Sequence, residues 1–507
     1  MHRSKDLKIG AFVSYVTIAF NIIASLLYTP WMIQQLGDSD YGLYTLANSL
    51  ITLFLFDFGL SAATSRFLSA CLAKEQQDEA NQILGTIYKL YLIVDVLIFA
   101  AFVVIFFLSE KIYVKLTFEE IQRFRVIFVI SGVFAIVNFP CVTFNGILNS
   151  YEKFVQLKLA DAFYRILTVL ISVAALCLGG GLYALVTIHA CVGLSIIIYK
   201  FYVIKHSTPV RINFSPTPKG LYKELFAFSA WITISTLAQR LIFNITPTIL
   251  GIVANSTDIA VFGVITAIES YTHTISTAMN GMFMPRISRI LNEQDSTAKL
   301  NGLCIKVGKW QTILYGLIFA GFVAFGKQFF ALWMHNGYTN TYYMGVVLVM
   351  LPGMFYYPMQ IANTALIVKN KVKIQAVTNV IIGVLNVVLS LFLAKQFGCI
   401  GACISIFVAY SMRNIGYFIA YRRILEIDIR SFFKSCYFRI GISVLAAMGV
   451  GFLMNSISIG SGWLSFAIRC LGLTAVYAVT VIFIGLNKEE RHRLAAKIQN
   501  VRKKESI

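Results

Sequence analysis

Apolar residues in this chain come in long unbroken runs and not in the alternation of a half-buried strand. Runs of eighteen or more residues with almost no charge recur from end to end, each long enough to cross a bilayer core as a helix. They fall near 9–33, 41–65, 86–108, 126–149, 157–178, 181–203, 225–253, 259–284, 302–325, 342–368, 374–394, 398–421, 437–455 and 463–486. The pattern predicts an all-α membrane protein of about 14 transmembrane helices. A transmembrane β-barrel is excluded, because the runs lack its dyad alternation. Composition agrees: 58% of residues are hydrophobic, 13% are charged and mean hydropathy is +0.74. A soluble chain could not enclose that much apolar surface. The segment Met1 to Lys8 is short and basic, and the apolar run after it is too long for a signal peptide and lacks a small-residue cleavage site. The first span is therefore expected to be retained.

The punctuation of these spans repeats at an offset of roughly 218 residues. Thr29-Pro30 recurs as Thr246-Pro247, Arg66 as Arg286, and Pro140 with Asn145 as Pro358 with Asn363. Lys153 recurs as Lys371, Gly180 as Gly398, Ala184 as Ala402 and Tyr199 as Tyr417. A period this long is not a solenoid unit. In a membrane protein it is the usual construction of a transporter, with the site between two copies. The expected organisation is an N-lobe over 1–205 (spans one to six), a Pro-bearing cytoplasmic linker over 206–220 and a C-lobe over 221–423 (spans seven to twelve). Two extra spans over 424–486 and a basic cytoplasmic tail over 487–507 follow. An even number of spans per copy relates the six-helix lobes by a pseudo-two-fold along the membrane normal.

Charge sets the orientation. The net charge is +20. With the N-terminus inside, about 34 of the 43 Lys and Arg fall on the cytoplasmic side, as the positive-inside rule requires. Both termini are then cytoplasmic, and no nucleic-acid partner is needed to explain the charge. The nine cysteines form no CxxC or Cys/His cluster, so no metal and no cofactor is expected. Walker A, HExxH, GxSxG and GxGxxG signatures are missing, which argues against an enzyme.

Charges within spans are costly and usually face a bundle interior or a wet cavity. Arg165, Arg240 and Arg413, if all turn inward, make a cationic lumen suited to an anionic, phosphate-bearing substrate. Arg240 has no carboxylate three or four residues away, which makes it the better ligand candidate. Asp161 and Arg165 stand one turn apart and either neutralise each other or serve the lumen. Arg413 either turns inward or snorkels to the cytoplasmic face. Asp57, Asp161, Glu269 and His273 are candidates for ion coupling; Glu269 and His273, also one turn apart, could relay a proton or share a structural hydrogen bond. Arg66 and Arg286 occupy matched inner ends of spans two and eight, as a cytoplasmic gate or as ordinary anchors.

The opening Pro30-Trp31, followed by Leu36-Gly37-Asp38-Ser39-Asp40-Tyr41-Gly42-Leu43-Tyr44, resembles the first-hairpin signature of bacterial polysaccharide flippases. Phe58-Gly59-Leu60 with Arg66-Phe67, and Asn145-Gly146-Ile147-Leu148-Asn149 leading to Glu152-Lys153, continue it. The chain thus resembles the polysaccharide transporter branch, including the O-antigen flippase (Wzx) group, of the multidrug/oligosaccharidyl-lipid/polysaccharide (MOP) exporter superfamily. The resemblance implies a MATE-like V-shaped fold, alternating access, and transfer of undecaprenyl-diphosphate-linked sugars across the bacterial plasma membrane. It also implies a monomeric transport unit, with a polysaccharide polymerase or glycosyltransferases as possible partners beside the lipid-linked oligosaccharide and the bilayer. Asn48, Asn138, Asn145, Gln239, Asn244, Asn363 and Gln360 are available to hydrogen-bond sugars or to tie helices together. Alternatives are a proton- or sodium-coupled multidrug exporter, a peptidoglycan lipid-precursor flippase and a non-transporting scaffold for glycosyltransferases.

Overall fold

The computed structural model describes residues 21–55, 59–215, 220–277, 283–335, 337–456, 460 and 462–492. All regular structure among them is helical, and ten helices are long and apolar enough to cross a membrane. This is a multi-pass, all-α membrane protein. Expected spans eleven and twelve are one helical run, Val372–Ile424, broken only at Gly398 (φ 56°, ψ −136°). A glycine adopts that left-handed backbone without strain, so no loop is needed. A Cβ at Gly401 would lie 2.0 Å from the Leu393 carbonyl oxygen, so the chain folds tightly back on itself there. The expected first, second and eighth spans correspond to a helix over 21–36, to Asp38–Phe54 with Leu60–Ala73, and to Ser256–Thr277. Asp57 lies outside the described residues.

The chain forms two compact units. One holds Met1–Val264 with Gln375–Ala402, the other Ile265–Ile374 with Cys403–Ile507. The second unit is built on two buried clusters, one around Ile287, Leu303, Leu366 and Phe432, the other around Phe325, Val444, Leu473 and Tyr477.

The sequence repeat has a backbone counterpart. At one helix end, Tyr151, Glu152 and Lys153 donate their N–H groups to the carbonyls of Ile147, Asn149 and Leu148. Lys369, Asn370 and Lys371 donate in the same way to Ala365, Ile367 and Leu366. Glu152 (φ 58°) and Asn370 (φ 56°) both take the left-handed conformation that closes such a C-terminal cap.

The hairpin signature is a docking device within the first unit. Gly37 (φ 86°) turns the chain into the Asp38–Phe54 helix. Ser39 and Ser256 donate hydroxyl hydrogen bonds of 2.6 and 2.5 Å to one oxygen of Glu120, while its other oxygen accepts from the Thr117 N–H at 2.9 Å. Asp40 pairs with Arg123 at 2.7 Å. Gly42 lies where a Cβ would meet the Ser256 carbonyl oxygen at 2.1 Å, so only glycine permits that approach. At the neighbouring turn the Asp258 carboxylate accepts the Cys399 N–H at 3.0 Å, satisfying a donor freed at the Gly398 break.

Candidate functional site

The site begins with a proline. Pro140 lies at the end of the Phe118–Cys141 helix, where its missing N–H interrupts the ladder, and the helix resumes as Thr143–Ser150. The hydroxyl of Thr143 donates to the Pro140 carbonyl at the break. Asn138 and Asn145 stand on either side of this interruption and both line a cavity of about 550 Å³ inside the first unit. The Phe154–Cys177 helix contributes Lys158, Asp161, Tyr164 and Arg165, and the Leu182–Ser207 helix contributes Gly193 and Lys200. A Cβ on Gly193 would lie 2.2 Å from the Phe134 ring, so this glycine makes room for an aromatic wall.

The cavity holds three cations against one carboxylate. Lys200 donates to Asn145 Oδ1 at 3.0 Å and stands 3.5 Å from Asp161; Lys158 reaches the other Asp161 oxygen at 3.8 Å. The Lys158–Asp161 contact is half-exposed and contributes little by itself. Asp161 is therefore shared by two lysines, and of its two sequence readings with Arg165 the mutual pair does not form. Among the described residues Arg165 makes no ion pair, which leaves a guanidinium fork on a polar wall lined by asparagine amides. The side chains on such a wall can donate hydrogen bonds to an anion. Sequence reasoning missed Lys158 and Lys200, which stand at the ends of their spans, where positive-inside counting reads a lysine as an ordinary surface charge. The signal was there: Lys158, Asp161 and Arg165 follow at i, i+3 and i+7, one face of one helix.

The second unit treats its arginine differently. Arg413 is 5% exposed, with its guanidinium 3.8 Å from the centre of the Tyr410 ring, 4.3 Å from Tyr356 and 6.0 Å from Tyr417. This is not a snorkelling side chain: the tyrosines hold the charge in an aromatic cage. Its neighbour Asn414 donates to the Pro352 carbonyl at 2.8 Å, and Tyr315 donates to the Met350 carbonyl at 2.7 Å, so side chains cap the Pro352 break. Tyr357 donates to Glu269 at 3.0 Å and packs edge-on against His273, with ring centres 5.8 Å apart. Glu269 and His273 thus meet through Tyr357.

The remaining candidates lie elsewhere. Arg240 is in the last turn of Leu221–Phe243, half-buried in the first unit, and does not line the Arg165 cavity. Arg66 is exposed on Leu60–Ala73 beside Phe67, and Arg286 is exposed on the short Met284–Leu291 helix. Asp95 is 9% exposed, and its Oδ1 has no hydrogen-bond partner among the described residues.

A cationic cavity among membrane-crossing helices can now be set beside known proteins. The profile of the polysaccharide biosynthesis protein family matches residues 7–291. The chain belongs to that family. No curated protein matches it in sequence. Its fold is shared with the lipid II flippase MurJ in an inward closed conformation, at 14% identity over 94% of this chain and 98% of that one, with a TM-score of 0.71. An inward-facing multidrug resistance MATE transporter of the MOP superfamily matches at 14% identity over 84% and 99%, with a TM-score of 0.65. A MOP superfamily transporter from Pyrococcus furiosus matches at 14% identity over 84% and 95%, with a TM-score of 0.60. This member of the polysaccharide biosynthesis family therefore has the MOP transporter fold.

Proposed function

We propose that the chain moves undecaprenyl-diphosphate-linked oligosaccharide units from the inner to the outer leaflet of the bacterial plasma membrane by alternating access. It serves capsule, exopolysaccharide or O-antigen assembly, with both termini cytoplasmic. The observation that carries this reading is the cavity of Arg165, Lys158 and Lys200 beside Asn138 and Asn145, in a chain of the polysaccharide biosynthesis family. A diphosphate head leaving water needs cations to replace its hydration, and the guanidinium fork of Arg165 matches phosphate oxygens. The asparagine amides and Tyr164 offer hydrogen bonds and a ring face to sugar hydroxyls and pyranose faces. The lipid tail stays in the bilayer while the head passes. Complementation tests the reading: the chain is expressed in a bacterium lacking its sugar-repeat flippase, and surface glycan and trapped lipid-linked intermediate are measured. Restored glycan with loss of the intermediate supports it. A folded protein that neither restores glycan nor binds undecaprenyl-diphosphate glycans in vitro overturns it.

Ion-coupled export, the second reading, draws on Glu269, Tyr357 and His273, a carboxylate and an imidazole meeting through one phenol in the second unit. Activity that survives Glu269→Gln with His273→Ala removes this pair from the mechanism.

A further inference from the structure

A second cationic cavity lies in the other compact unit. The Met284–Leu291 helix is amphipathic: Ile287 and Ile290 are buried in the core with Leu300 and Leu303, and Arg286 and Arg289 stand exposed one turn apart. The Ser296–Trp333 helix brings Lys299 and Lys306, seven residues and therefore two turns apart on one face. These four side chains and Glu293 surround about 590 Å³. Gly302 lines it too, and a Cβ there would meet nothing within 4 Å, so the wall between the two lysines stays open.

Charge in this cradle is unbalanced. Glu293 accepts from Lys299 at 2.8 Å, and this hydrogen bond holds its carboxyl below the usual range, so the one carboxylate is already engaged. Arg286, Arg289 and Lys306 make no ion pair among the described residues. Three like charges around one space repel, and an anion placed among them relieves that repulsion. The apolar run of the next span begins near residue 302 and the preceding one ends near 284, so the cradle straddles a polar-to-apolar boundary. Phospholipid phosphates lie at that level of a membrane.

We propose that this cradle is a phosphate-binding site distinct from the Arg165 cavity, taking the phosphate of an anionic phospholipid headgroup or a soluble phosphate. It does not depend on the identity of the transported cargo. The test uses the full chain purified in detergent. Native mass spectrometry measures retention of phosphatidylglycerol against phosphatidylcholine, and thermal melting measures stabilisation by inorganic phosphate. Each charge near a lipid surface is worth about fivefold in binding, so Arg286→Gln, Arg289→Gln and Lys306→Gln together should weaken it by about a hundredfold. Selective phosphatidylglycerol retention lost in the triple variant identifies a lipid headgroup. Stabilisation by inorganic phosphate, equally lost and without lipid selectivity, identifies a soluble phosphate. Equal retention and equal stabilisation in wild type and a folded triple variant overturn the proposal. If the triple variant does not fold, Arg289→Gln alone decides, with about a fivefold loss expected and no change counting against the site.

Discussion

Arg165 and Arg413 look alike in sequence, each a guanidinium within an apolar span, yet the structure gives them opposite surroundings. Arg165 opens onto a polar cavity whose single carboxylate is held by two lysines. Arg413 is enclosed by three tyrosines whose rings stand 3.8–6.0 Å from its guanidinium. An intramembrane charge is therefore not a site by itself. What matters is whether the protein has already supplied its counterpart.

The sharpest way to break this comparison is to truncate both. Arg165→Ala should abolish surface glycan with little change in melting temperature, and Arg165→Lys should restore part of it, because the charge returns without the fork. Arg413→Ala should instead lower stability by about 2–4 kcal/mol, through lost cation–π contacts and the cavity left among the rings. Glycan and melting measured on the same preparations would reverse the assignment if Arg165→Ala unfolded the protein and Arg413→Ala did not.

Next in size is Lys200→Met. It removes the hydrogen bond to Asn145 and one of the two cations on Asp161, and should reduce transport by about tenfold, the equivalent of one charge-assisted hydrogen bond. Transport at the wild-type rate would show that Lys158 alone balances Asp161.

Glu120→Gln should cost about 1–3 kcal/mol in the first unit, since two serine hydroxyls then lose a charged acceptor. Its effect on transport should follow its effect on stability. A variant that melts normally but does not transport would make the hairpin more than a docking device.

The smallest effect should be at Glu490. Burial raises its carboxyl pKa, but the Lys309 ammonium at 2.5 Å and the Asn487 N–H at 2.8 Å outweigh that and leave it below the ordinary 4.5. A depressed folded pKa gives stability that is present above the unfolded value and lost as pH falls through the folded one. Glu490 is 39% exposed, so solvent screening holds the gain to about 1 kcal/mol or less. The gap in melting between wild type and Glu490→Gln at pH 7 should close as pH falls through the folded pKa of Glu490; a constant gap would rule out this ionisation as the cause.

Much of the fold was legible because burying twenty apolar residues leaves a chain few choices. The span pattern, the helical class and the family all follow from unbroken hydrophobic runs and the Leu36–Tyr44 signature. The signature's physical meaning was not legible. Ser39, Glu120 and Ser256 are far apart in sequence, and nothing local shows that one carboxylate gathers both hydroxyls. The site was half legible. Asn138, Asn145, Asp161 and Arg165 are recognisable in the sequence as intramembrane polar residues, and the structure brings them to one cavity. Lys158 and Lys200 were hidden by their flexible stems, which carry an ammonium several ångströms from the backbone position that sequence counting uses.

The amino-acid sequence by itself determined that this protein crosses the membrane many times as helices, because uninterrupted apolar length leaves backbone hydrogen bonds no other way to be satisfied. It also determined the repeat, whose caps at Glu152 and Asn370 depend on local geometry alone. Only the tertiary structure decided which charges within the spans are already engaged. That depends on neighbours brought from distant helices: two lysines for Asp161, three tyrosines for Arg413 and an open wall for Arg165.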